Sequence, residues 1–175
     1  MAMIFALRKT RIRYPIVGRL EGITQQLHIE LRVVRRLERH RQSTPWSKEA
    51  GGQLFGSIDT NRIRVAEATG PYPGDARSRF HYQSDPDAAQ HAVEECAARG
   101  LLYLGEWHTH AEDRPNASGW DHDAMARLLA GSRLNSNSLL MLIGGRAPVP
   151  EGLAAWSASK AGTRQWRFVA EWAGL

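Results

Sequence analysis

Two histidines one residue apart, followed at short spacing by a serine and an aspartate, are the densest chemistry in this chain. They lie in Glu106-Trp-His-Thr-His-Ala-Glu-Asp-Arg-Pro-Asn-Ala-Ser-Gly-Trp-Asp121. Seven residues separate His110 from Ser118, and two separate Ser118 from Asp121. Two imidazoles and one carboxylate suit a zinc ion that keeps a fourth position open for water. His108 and His110 at a strand end would point to one face, because side chains alternate along a strand. Ser118 and Asp121 are three apart and would share a face of a helix. Ser118-Gly-Trp-Asp121 also matches a capping box, which serves only to satisfy free backbone donors at a helix start.

Zinc-assisted hydrolysis needs a proton carrier as well. Glu106, Glu112, Asp113 and Asp123 are candidates by proximity. Glu49 is an upstream candidate, in front of Ala-Gly-Gly-Gln-Leu-Phe-Gly56. Gly51 and Gly52 there would let another chain approach the backbone closely.

The elements that must hold these groups can be read from periodicity. Leu101–Trp107 is an apolar run that reads as a buried strand delivering the two histidines. Ser118–Ala130 reads as the helix that follows, with Met125, Leu128 and Leu129 inward. Gly52–Asp59 and Arg62–Thr69 read as paired strands around a turn at Asp59-Thr-Asn61. Leu27–Leu31 alternates as a strand, and Val33–His40 follows with helical spacing at Val33, Val34 and Leu37. Gly70-Pro-Tyr-Pro-Gly-Asp75 is a loop by composition, and Arg79–Tyr82 a short strand. Pro86 opens a helix running to Arg99, with Ser84 or Asp85 as N-cap. Ser138–Gly144 is a further buried strand. Leu153–Ser159 and Gln165–Trp172 look like a closing hairpin. The expected class is α/β or α+β in one domain.

The combination resembles the JAMM (JAB/MPN+) metalloprotease family. Its pattern of an upstream Glu, then His-x-His, seven residues, Ser, two residues and Asp is met by Glu49, His108, His110, Ser118 and Asp121. Glu49-Ala-Gly-Gly-Gln-Leu-Phe-Gly56 looks like the family's first motif. The resemblance covers roughly residues 25–145. It implies a curved, mostly antiparallel sheet flanked by helices, a cytidine-deaminase-like JAB/MPN fold. It implies one catalytic Zn²⁺ on His108, His110 and Asp121, Glu49 as acid/base, and Ser118 as an oxyanion donor. Many bacterial members carry Pro after the second His and before the Ser. Ala111 and Ala117 stand there instead, which puts the rigidity of the loop between them in question.

The resemblance also implies an activity: hydrolysis of isopeptide bonds made by ubiquitin or ubiquitin-like C-termini, as in small deubiquitinase-like enzymes of bacterial antiphage operons. Two settings fit. In the first, a ubiquitin-like protein is conjugated by E1-like and E2-like partners, and the sequence around the site inclines towards it. In the second, a cGAS-like nucleotidyltransferase of a CBASS operon is itself conjugated. Arg77, Arg79 and Trp107 are the expected substrate contacts, with Gly70–Ser78 as a flap over an extended tail. A non-catalytic MPN scaffold and a zinc hydrolase of small amides are the competing readings.

Charge and composition bound the rest. The net charge of +5 is concentrated in residues 1–41, which carry ten Lys/Arg against three Asp/Glu. Residues 1–24 are read as a basic N-terminal extension and residues 25–175 as the domain. Arg32, Arg35, Arg36 and Arg39 read as a solvated helix face, and no aromatic residues interleave with them, so nucleic acid is not an expected partner. The single cysteine, Cys96, excludes an internal disulfide and a Cys-rich zinc site. No apolar run is long enough to span a membrane, and Met1–Leu7 is too short for a secretory leader. The expected compartment is the cytoplasm.

Overall fold

The computed structural model describes residues 15–132 and 136–169. The expectations about Met1–Leu7 and about the last residues of the closing strand, 170–172, lie outside that range. In chain order the elements begin β1 (Ile16–Leu20), β2 (Ile23–Ile29), α1 (Leu31–Arg39), β3 (Gly51–Ile58) and β4 (Arg62–Ala68). The short strands β5 (Ala76–Arg77) and β6 (Tyr82–Gln83) follow, then α2 (Pro86–Ala98), β7 (Leu102–Thr109) and α3 (Gly119–Gly131). The last elements among the described residues are β8 (Ser138–Gly144), β9 (Leu153–Ser159), β10 (Gly162–Gln165) and β11 (Arg167–Val169).

Nine strands form one sheet in the order β10-β9-β8-β7-β3-β4-β2-β1-β11, and β5 and β6 form a separate pair. The β7/β8 and β2/β4 pairings are parallel and the others antiparallel. The mixed class with a mostly antiparallel sheet is therefore as expected.

The sheet is covered on both faces. On one, Val33, Val34 and Leu37 of α1 pack with Leu54, Leu104, Trp107, Leu140 and Leu142. On the other, Met125 of α3 packs with Leu139, Met141 and Ile143, and Ala92 and Cys96 of α2 pack on Phe55. Leu140 and Leu142 face α1 while Leu139, Met141 and Ile143 face α3, which is the strand period of two at work. A central strand buried on both faces reads as a continuous apolar run, and Ser138–Gly144 does so. Between its buried apolar positions α1 exposes Arg32, Arg35 and Arg39 as expected, but Arg36 is half-buried and donates to the Gly70 carbonyl.

Three expectations are corrected. Residues 16–20 belong to the sheet as β1, which pairs with β2 and β11, so a separate extension does not run to residue 24. Of Arg79–Tyr82 only Tyr82 is in a strand, as the first residue of β6, and residues 78–81 are the connection between β5 and β6. The closing hairpin is made by β9 with β10, and the chain then crosses to the far edge, where β11 pairs with β1.

The glycines after Glu49 have a packing reason. A Cβ on Gly51 would lie 2.3 Å from a ring carbon of Tyr82, and one on Gly52 would lie 2.0 Å from the Thr69 carbonyl oxygen. Gly51 lets the ring of Tyr82 lie on β3, and Gly52 lets the Thr69–Gly70 backbone approach it.

Candidate metal centre and active-site cleft

β7, α3 and β8 form a parallel crossover unit. The candidate site sits where β7 ends and α3 begins, at the carboxyl end of a strand, where open α/β sheets commonly place ligands. β7 runs through His108, so alternation separates the two faces sharply. His108 and His110 point to the α3 side. Thr109 points the other way, fully buried, and its Oγ1 accepts from the Ala50 N–H at 3.0 Å. The Thr109 N–H donates to the Ala50 carbonyl at 2.8 Å. Glu49 is thereby fixed beside the end of the histidine strand, with Gly51 in register with His108.

Asp121 comes from the first turn of α3. The Asp121 N–H donates to Ser118 Oγ at 3.2 Å, and the Ser118 N–H donates to Asp121 Oδ2 at 2.7 Å, a reciprocal capping box. The Ser118 hydroxyl also donates to Asp121 Oδ2, at 2.6 Å. In this geometry Ser118 holds the aspartate, and its proton is not directed at a substrate. The loop before it is tied down despite Ala111 and Ala117. Arg146 N–H and Ala147 N–H donate to the Glu112 and Asp113 carbonyls at 2.7 and 3.0 Å, and Pro115 packs over Gly145.

The three side chains converge. His108 Nε2 is 3.0 Å from His110 Nε2 and 3.1 Å from Asp121 Oδ1. His110 Nε2 is 3.5 Å from Asp121 Oδ2. In a tetrahedral zinc site with bonds of about 2.0–2.1 Å, ligand atoms stand roughly 3.3 Å apart. The observed separations bracket that value, so the donor set fits zinc in chemistry and in spacing. The three side chains are only 11–13 % exposed. Glu112 approaches the remaining nitrogen of His110, Nδ1, at 3.8 Å, where an outer carboxylate would orient the imidazole.

The site's electrostatics separate its acids. Burial pushes Asp121 up, but its hydrogen bond to His108, the His108 charge and the Ser118 donors outweigh this and bring it below the usual carboxylate range. It is an anion at neutral pH, as a ligand must be. Burial lowers His110, with His108 adding to the shift, so its imidazole favours the neutral, ligating form. Burial raises Glu49 to about 7, with Asp121 adding to the rise and His108 opposing it. A carboxyl poised near neutrality can accept and return a proton.

Glu49 lines a cleft of about 420 Å³ together with His108, His110, Ser118 and Asp121. Of the nearby acids, Glu106 also lines it, and burial raises its pKa. Asp113 is turned away and pairs with Arg146 at 2.9 Å. Asp123 is exposed on α3. Phe80, His81, Tyr82 and Trp120 also line the cleft. No motif pointed to them, because they meet the ligands only through the β5–β6 connection and the first turn of α3.

The expected substrate contacts are placed differently. Trp107 is 0 % exposed and packs in the α1-side core, and its indole N–H donates to the Thr69 carbonyl at 2.9 Å. A direct substrate contact from Trp107 does not fit that position. Arg77 Nε donates to the backbone carbonyl of Glu49 at 2.5 Å. The Glu49 N–H donates to the Ser78 carbonyl at 2.7 Å. Both backbone groups of Glu49 are thus held, by Arg77 of β5 and by Ser78 just after it. Arg79 Nη1 donates to the carbonyls of Thr44 and Pro45 at 3.1 and 2.6 Å. Arg77→Ala is therefore expected to lower kcat by roughly ten- to a hundredfold with KM little changed, the signature of a misplaced base. A rise in KM with kcat intact would instead return Arg77 to the substrate.

Residues 30–168 match the family model described as prokaryotic homologs of the JAB domain. The chain belongs to that family. Among its relatives, a Pseudomonas aeruginosa protein named CD-NTase/cGAS isopeptidase is 34 % identical over 124 residues, covering 69 % of this chain and 78 % of the relative. A Vibrio cholerae protein of the same name is 36 % identical over 117 residues, covering 65 % and 72 %. An Escherichia coli protein, again of that name, is 30 % identical over 120 residues, covering 67 % and 74 %. The solution structure of DSY2949 from Desulfitobacterium hafniense superposes with a TM-score of 0.55 at 26 % identity, covering 79 % of this chain and 87 % of that one. The JAB domain and these names support a hydrolase of the isopeptidase kind. Among the described residues no helix is long and apolar enough to cross a membrane.

Proposed function

We propose that this JAB-domain chain is a zinc-dependent isopeptidase of antiphage defence. It would cleave the amide that joins the C-terminus of a CD-NTase/cGAS-like nucleotidyltransferase to a target lysine. The observation that carries the reading is the convergence of His108, His110 and Asp121 beside a carboxyl raised to about 7. The relatives' names support the nucleotidyltransferase as substrate. They favour the second of the two operon settings, and nothing comparable supports a ubiquitin-like modifier.

His108, His110 and Asp121 would hold the ion. Zinc supplies Lewis acidity towards water and the scissile carbonyl when bound. Glu49 takes one proton from the attacking water as its oxygen adds to the carbonyl carbon. It returns that proton to the lysine nitrogen as the C–N bond breaks. The products are a free C-terminal carboxylate and a lysine amine. Ser118 first of all fixes Asp121. It becomes an oxyanion donor only when its hydroxyl turns from that carboxylate, a contribution typically of about 10²–10³ in rate.

The test uses two substrates with the zinc-loaded protein. One is a CD-NTase/cGAS-like enzyme of the same organism, joined through its C-terminus to a lysine. The other is a ubiquitin-like protein joined in the same way. Release of the first with the second intact is the expected result. Cleavage of the second alone would overturn the substrate assignment, and cleavage of neither would overturn the isopeptidase reading.

A further inference from the structure

The rim of the cleft holds exposed aromatic surface that the metal chemistry does not use. Phe80 is 77 % exposed and Trp120 is 63 % exposed, yet both line the cleft. They come from different elements, the β5–β6 connection and the first turn of α3. His81, next to Phe80 in the chain, meets the Trp120 ring at 6.3 Å between centroids. Each ring is pinned by a cation. The Arg79 guanidinium lies 5.4 Å over Phe80, and the Arg127 guanidinium 5.4 Å over Trp120. Such stacking favours a fixed ring over a freely rotating one.

The apolar surface continues inward. Trp120, Ala124, Met125 and Leu128 form one stripe along α3, at the spacing of a helix face. Met141 of β8 completes the lining opposite Glu106. The apolar wall thus starts at the rim and passes beside Asp121, with a volume of about 420 Å³ for whatever occupies it. That volume falls in the roughly 300–1,000 Å³ range of ligand pockets. A tail made only of glycine would leave the wall largely uncovered. Large exposed aromatic side chains beside a functional cleft are the type most often used as binding anchors.

We infer that Phe80 and Trp120 form an aromatic clamp that grips a bulky apolar side chain in the extended tail just before the scissile carbonyl. The inference rests on the isopeptidase reading and adds a substrate class to it: apolar-tailed rather than glycine-tailed conjugates. The tail is the favoured occupant because it is common to all conjugates of one protein, whereas the target lysine sits in varied surroundings. The rim also carries Arg79, Arg127 and His81, which disfavours the basic surface around a target lysine.

The experiment measures binding, so that it does not depend on turnover. The zinc-loaded Glu49→Gln protein is titrated calorimetrically with peptides that end in a free carboxylate, as the product tail would. The peptides differ only in having Leu or Phe in place of Gly at successive positions before that end. An apolar residue at one position is expected to tighten binding about tenfold or more. Adding Phe80→Ala or Trp120→Ala should abolish that preference while leaving the all-glycine peptide and the zinc content unchanged. The absence of any preference, or its survival in both variants, would overturn the clamp. So would a preference found only in peptides that mimic the lysine side. If wild type binds the apolar tail with this preference but cleaves no conjugate, the isopeptidase reading fails and the clamp stands.

Discussion

Glu49→Gln is expected to retain a full equivalent of zinc and to lose about 10²–10⁴ in kcat, the usual worth of a positioned proton carrier. Glutamine keeps the size of the side chain and the two backbone bonds that hold residue 49 to Arg77 and Ser78. The loss would therefore report proton transfer and not placement. The wild-type pH profile supplies an independent check. Burial raises Glu49 to about 7, and protonation disables it as a base. Activity should accordingly rise with pH as Glu49 ionises. A bound cation stabilises the carboxylate, so the midpoint in the loaded protein should lie below the metal-free value of about 7. The same acid limb should be missing from whatever activity Glu49→Gln retains. Equal kcat in the two proteins, or an unchanged acid limb in the variant, would remove Glu49 from the role.

The candidate ligands are legible in the sequence because their geometry is local. A strand brings i and i+2 to one face, and a helix start brings Ser118 and Asp121 together through three residues. The same alternation, applied to Trp107, points it away from the histidines and into the α1-side core, where the structure has it. Glu49 is different in kind. It reaches the site through the β3–β7 register that sets Gly51 against His108, a pairing across nearly sixty residues. Only the resemblance, and not local pattern, singled it out. For Arg77 and Arg79 the sequence shows a guanidinium but not its partner, and in the structure both donate to backbone carbonyls, of Glu49 and of Thr44 and Pro45. The last strands were misread because alternation reveals a strand but not its edge. β9 turns back after two residues to make β10, and β11 then pairs across the sheet with β1. The aromatic rim left no mark in the sequence, since an exposed Phe80 and a helix-start Trp120 become neighbours only through tertiary structure.

Asp121→Asn is expected to cost the site its metal while sparing the fold. The aspartate performs two tasks at once. Its Oδ2 caps α3 by accepting from the Ser118 N–H, and its oxygens stand 3.1 and 3.5 Å from the two imidazole nitrogens. Asparagine can still accept the capping bond through its amide oxygen, so α3 should start at the same place. It cannot supply the negative charge that Asp121 carries, held as it is well below the usual carboxylate range. Two imidazoles then remain. Loss of an outer partner of a zinc ligand typically weakens metal binding by about 10–100-fold, and loss of the ligand itself should exceed that. Ser118→Ala is the complement. It removes the cap, at a cost of about 0.5–2 kcal/mol, and loosens Asp121 but leaves all three ligands. Its melting temperature should fall more than that of Asp121→Asn, and its zinc content less. The two measurements, melting temperature and zinc per chain, therefore move in opposite order in the two variants. If Asp121→Asn keeps an equivalent of zinc, the carboxylate is not a ligand and the helix cap is its whole role.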